Sequence, residues 1–106
     1  MNISIRSTRT MRYFTLGDWV ISPTGYISIE VSEEMTEKTQ LLVAVHELVE
    51  AILCRARGIT TAQVDDWDVG PGLELDEPGD HPDAPYHREH KFAMIIESLL
   101  EHEIGV

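Results

Sequence analysis

The sequence predicts an α+β domain, a small antiparallel sheet at the N-terminus followed by two main helices packed on it. Three observations carry this. Residues 2–31 hold short runs that alternate apolar and polar side chains, the period of a strand with one buried face. Residues 41–56 are apolar at helical spacing, and residues 92–100 repeat that spacing after an acidic gap. At 106 residues the chain makes one domain with a modest core.

In chain order, Asn2 to Arg6 places Ile3 and Ile5 on one face and reads as a strand. Ser7 to Thr10 is a polar turn. Met11 to Leu16 is a second strand candidate, and Trp19 to Ser22 a third. Pro23-Thr24-Gly25 is turn chemistry, since proline fixes φ and glycine admits a left-handed residue. Tyr26 to Val31 then turns Ile27, Ile29 and Val31 to one face, in a hairpin with Val20 and Ile21. The sheet thus spans 1–31.

The period changes after Ser32. Thr36 is the expected N-cap of a helix over 36–57, with Glu37 in its first turn and Gly58 as its stop. At about 100° per residue, Leu41, Leu42, Val45, Leu48, Val49, Ile52, Leu53 and Ala56 share one broad arc. Thr60 or Thr61 caps a short helix through Ala62 to Trp67. Residues 65–83 carry eight Asp and Glu and no Lys or Arg, with Gly70-Pro71-Gly72 and Pro78-Gly79. The expectation is a long acidic loop, either a solvated connection or else a lid over a site or a second cation site. Asp83 is the expected cap of a last helix over 84–104, with Pro85 in its first turn. Phe92, Ala93, Ile95, Ile96, Leu99 and Leu100 form its apolar arc.

Composition excludes several classes of function. With hydrophobic residues at 42%, the chain has enough apolar surface to fold. The formal charge of -11 argues against binding a nucleic-acid backbone, which needs clustered Lys and Arg, although an acidic mimic of nucleic acid stays open. Cys54 is the one cysteine, so no internal disulfide is expected. No run approaches the ~20 apolar residues of a membrane span, and the first residues lack a signal-peptide shape. No membrane partner is expected, and a cytoplasmic protein is. Glycine-rich phosphate loops, Gly-x-Ser-x-Gly elbows and Cys-x-x-Cys pairs are absent from the sequence.

The chemistry concentrates on the first long helix. His46 and Glu50 lie one turn apart at the edge of its apolar arc, where two ligands can grip one ion. A third ligand must come from elsewhere. His81, His87, His90, Glu97 and the acidic loop are the candidates, and His90 comes first because it borders the apolar arc of the last helix. The expected set is His46, Glu50 and His90 with an open fourth position. Glu97 is either a ligand or an acceptor for an imidazole N–H. His87 and His102 are expected to face away. Without a metal, His46 and Glu50 form a hydrogen-bonded pair, which Arg57 could neutralise. In that alternative Glu47 is a solvent-facing glutamate. Cys54 reads as a buried structural thiol, and Trp19 and Trp67 as core or groove-lining residues.

His46-Glu47-Leu48-Val49-Glu50 resembles the zincin metallopeptidase signature, His-Glu-x-x-His, with Glu50 at the place of the second histidine. The resemblance covers five residues and their helical setting. It implies a zincin-like minimal domain, zinc as cofactor, His46 and Glu50 as ligands, and Glu47 as the general base acting on a metal-bound water. A peptide or protein would be the substrate. A carboxylate at Glu50 binds zinc in a different geometry and adds negative charge, which raises the pKa expected for that water. The chain as a whole also resembles small phage and prophage proteins, a likeness that implies no activity. Two other functions remain in view. One is a non-catalytic acidic protein that engages a basic partner. The other is a Mg²⁺-dependent hydrolase using Glu47, Glu50 and Glu97.

Overall fold

One three-stranded sheet backs the whole molecule, in the order β1 (Asn2–Arg6), β3 (Ile27–Ser32), β2 (Gly17–Ile21). The computed structural model describes residues 1–12 and 15–105. Three helices follow the sheet, α1 (Glu37–Ala56), α2 (Thr61–Val69) and α3 (His87–Ile104). The α+β class holds, with α1 and α3 as the main helices.

The central strand shows the alternation that the sequence predicts. Ile27, Ile29 and Val31 are buried on the inner face, while Ser28 and Glu30 turn outward. β2 pairs with it antiparallel through a turn closed by Ser22 and Tyr26, where Gly25 takes a φ of 85° that other residues avoid. β1 corrects the all-antiparallel expectation, because it runs parallel to β3, from Asn2 beside Ser28 to Arg6 beside Ser32. Alternation alone is the same for both directions. The long excursion through a 3-10 turn at Thr8–Thr10 lets the chain insert β3 between β1 and β2. The strand expected over Met11 to Leu16 is not formed by Met11, Arg12, Thr15 or Leu16, and Tyr13 and Phe14 lie outside the described residues.

The inner face carries α1, which lies across β2 and β3. Ile3 and Ile5 of β1, at the edge of the sheet, stay 45% and 51% exposed. The core joins Trp19, Ile27, Ile29 and Val31 to Ala51 and Cys54 of α1, Val64 of α2, and Ala84 and Tyr86 before α3. Thr36 caps α1 by accepting from the Thr39 N–H at 3.3 Å, and Gly58 ends it with a φ of 72°. Thr60 caps α2 in a reciprocal box with Gln63.

Three expectations fail here for physical reasons. First, α2 carries Asp65, Asp66 and Asp68, so the acidic stretch is helical up to Val69. Its remainder folds back through a 3-10 turn at Pro78–Asp80 that packs on α3. Second, α3 starts at His87, after Pro85, and Asp83 does not cap it. Proline at 85 disfavours the helical region for the residue before it, and the chain turns once more before the helix begins. Third, both main helices are rotated from their apolar arcs. Leu41 and Ile52 of α1, and Phe92, Ile95 and Leu99 of α3, are exposed, while Glu50, Glu89 and His90 are buried. Glu89 meets Arg57 at 2.6 Å across the helix pair.

Candidate metal centre

The polar residues that displaced apolar ones from the helix interface converge on one carboxylate. Glu50, 5% exposed, projects from the middle of α1 towards α3. Its Oε2 lies 3.1 Å from His46 Nε2, one turn back on the same helix. The same oxygen lies 3.0 Å from His90 Nδ1 in the first turns of α3. The second oxygen, Oε1, accepts from the Trp19 indole N–H at 2.9 Å, so β2 also reaches the centre. Donor atoms of His46, Glu50 and His90 all lie within 4.8 Å of one another. Three ligands held at about 2.0–2.1 Å in tetrahedral directions stand roughly 3.4 Å apart, so modest side-chain adjustment closes this set on one ion.

Each imidazole is fixed from its far side as well. His46 Nδ1 meets Glu97 Oε1 at 2.8 Å, and His90 Nε2 meets Asp80 Oδ1 at 3.0 Å. Outer carboxylates of this kind hold a ligating histidine in one orientation and raise its basicity. Gly79 makes the approach of Asp80 possible, because a Cβ there would lie 2.6 Å from His90 Cγ. The two rings meet edge to face with centroids 4.9 Å apart.

The electrostatics follow from the partners. Burial works to raise the Glu50 pKa, but hydrogen bonds from His46, His90 and Trp19 outweigh it and hold the carboxyl at about 2. Burial works to lower the pKa of both histidines. The hydrogen bond to Glu50 and its charge prevail and raise both, helped by Glu97 at His46 and by Asp80 at His90.

Glu47 faces β2 rather than solvent. It is half-buried against Gly17, where an added Cβ would come within 2.9 Å of its Oε1. Burial pushes its pKa well above the usual carboxylate range, and the charges of Glu50, Asp18, Glu77 and Asp68 add to the push. Asp68 is likewise raised to about 6 by burial and by the charges of Glu50, Asp65 and Asp18, although the Tyr86 hydroxyl donates to it at 2.6 Å.

Of the sequence-predicted residues, the structure brings His46, Glu50 and His90 together and sets Glu97 behind His46. His87 turns to the Gly79 carbonyl, with Nδ1 2.9 Å from its oxygen. His81 accepts from the Asp83 N–H, and His102 is exposed near the end of α3. Arg57 is taken by Glu89, so it does not serve as the partner foreseen for Glu50. The His46 ring sits between Glu50 and Glu97, with one nitrogen facing each carboxylate. Cys54 is fully buried, and burial with the charges of Glu50 and Glu89 pushes its thiol up to about 12, the state of an inert structural cysteine. Trp67 lines the inside of the acidic stretch, donating to the Pro78 carbonyl at 3.0 Å.

Sequence reasoning missed Asp80 and the role of Trp19. Asp80 is one carboxylate among many in an aperiodic stretch, and only the Pro78-Gly79 turn that delivers it leaves a trace in the sequence. Trp19 carried a sharper signal, because alternation puts it on the inner face of its strand, where a buried indole N–H needs an acceptor. Among the described residues, no helix is long and apolar enough to cross a membrane. Comparisons with protein-family models, with curated proteins and with solved structures give no match to this chain.

Proposed function

We propose that His46, Glu50 and His90 bind one divalent transition metal ion, zinc by preference, in a zincin-like hydrolytic centre with Glu47 as its general base. One observation carries the reading. Three donors converge within 4.8 Å, and each has its remaining polar atom held by a separate partner, Glu97, Asp80 or Trp19. Two imidazoles and a carboxylate are a donor set that suits zinc. Bound there, zinc supplies Lewis acidity to a substrate carbonyl and acidifies a water. The protein contributes the rest. Trp19 fixes Glu50 so that Oε2 alone faces the histidines, and burial raises the pKa of the Glu47 carboxyl, which makes its ionised form a stronger base. A peptide or protein is the substrate this reading implies, and a reducing cytoplasm suits its one buried, unpaired cysteine.

A second reading rests on a specific observation too. Every buried side-chain nitrogen and oxygen among the described residues already has a hydrogen-bond partner. The His46–Glu50–His90 network can therefore stand as a structural clamp between α1 and α3 in a non-catalytic acidic protein that engages a basic partner. Elemental analysis after dialysis against zinc separates the two. About one zinc per chain, lost in His46→Ala, supports the metal centre. Folded protein that takes up no transition metal rejects it.

A further inference from the structure

The outward face of α3 has an order that the metal centre does not use. At about 100° per residue, Arg88, Phe92, Ile95, Leu99 and Glu103 fall along one stripe of the helix. Its three apolar members are 49%, 57% and 61% exposed, at the 3-and-4 spacing by which one helix packs on another. Arg88 and Glu103 close the stripe at opposite ends, exposed and without an ion pair among the described residues. The four outer positions of the stripe are symmetric about its centre. Arg88 and Glu103 are equidistant from the midpoint between Ile95 and Ile96, and so are Phe92 and Leu99.

We propose that this face binds a second copy of the chain, α3 against α3, antiparallel about a two-fold axis passing between Ile95 and Ile96. A two-fold interface brings one patch against itself, so the patch must be self-complementary. In the antiparallel arrangement each Phe92 meets the other copy's Leu99, and each Arg88 meets the other copy's Glu103. A parallel pairing would set Arg88 against Arg88 and Glu103 against Glu103, and like charges disfavour it relative to the antiparallel one. The apolar stripe supplies the affinity. The terminal charges set the direction, since exposed ion pairs add little to binding strength. One helix pair is a small interface, so dissociation constants of about 1–100 µM are expected.

The test is sedimentation velocity on the intact chain from micromolar to several hundred micromolar. A monomer–dimer equilibrium is expected for the wild type. Ile95→Glu should weaken it more than about 100-fold, because two carboxylates would be buried at the axis. Circular dichroism should show that this variant keeps its fold, as Ile95 makes no part of the core. Arg88→Glu and Glu103→Arg should each weaken the dimer about tenfold, and the double variant should return to within about threefold of wild type. A chain that stays monomeric throughout overturns the proposal, as does a dimer indifferent to Ile95→Glu. Additive losses in the double variant overturn the antiparallel register.

Discussion

Glu97 Oε1 lies 2.8 Å from His46 Nδ1, on the side of the ring opposite Glu50. The two carboxylates come from different helices and hold one imidazole between them. The outer one fixes where the inner nitrogen points. Glu97→Gln should therefore weaken zinc binding about 10–100-fold without abolishing it, whereas His46→Ala should abolish it. Competition against a chelator of known affinity measures both. An unchanged affinity in Glu97→Gln would show that the outer contact does not orient the ligand.

The two histidines of the first turn of α3 make a second test. His90 reaches Glu50, while His87 reaches only the Gly79 carbonyl. His90→Ala is expected to remove zinc binding. His87→Ala should keep it within about threefold and cost about 1 kcal/mol of stability through the lost hydrogen bond. Calorimetric titration and thermal melts on both variants decide the matter, and equal losses of zinc would mean that both rings serve one site.

Glu47→Gln separates holding the metal from using it. The amide keeps the size of the side chain against Gly17 but cannot take up a proton. Zinc affinity and fold should persist, and any cleavage of a peptide library by the wild type should disappear. Loss of zinc in this variant would make Glu47 a ligand. Retained cleavage would place the base elsewhere.

Asp68 gives the chain a pH dependence with a definite sign. Its pKa is raised from 3.8 to about 6, so the folded state holds the proton more tightly than the unfolded chain does. Its favourable contribution is complete below pH 3.8 and is lost as pH rises through about 6. The full shift corresponds to about 3 kcal/mol, which partial exposure reduces to about 1–2 kcal/mol. Asp68→Asn, which can still accept from Tyr86, should be more stable than wild type by that amount at pH 7.5 and equal to it near pH 3.5. Urea titrations at the two pH values check this, and a variant less stable at pH 7.5 would contradict it.

Local chemistry was legible in the sequence wherever one residue decides a backbone state. Thr36, Gly58 and Thr60 mark helix ends because a capping hydroxyl and a residue without a Cβ each decide the backbone locally. The face of β3 was legible because a period of two admits one answer. His46, Glu50 and His90 were legible because helical spacing limits which polar groups can share an interior. The phase of the helices was not, since apolar count outvoted polar content. Leu41 and Ile95 look like core in sequence, yet Glu50, Glu89 and His90 take the interior because each has a partner waiting there. The direction of β1 and the arrival of Asp80 depend on where a long connection leads the chain, and no periodicity records that.

The hydrogen bond from Trp19 to Glu50 also gives the molecule an optical consequence. Trp19 is 4% exposed and its indole is bonded to the carboxylate at the heart of the centre. Any change in the charge on Glu50 acts directly on the emitting ring, with little solvent to blur it. The other tryptophan, Trp67, meets His81 at a tilt with ring centroids 5.4 Å apart and bonds to the Pro78 carbonyl, away from Glu50. With phenylalanine at position 67, the chain would carry a single tryptophan, and the colour of its fluorescence, excited selectively over the three tyrosines, would report the state of Glu50 without any added label.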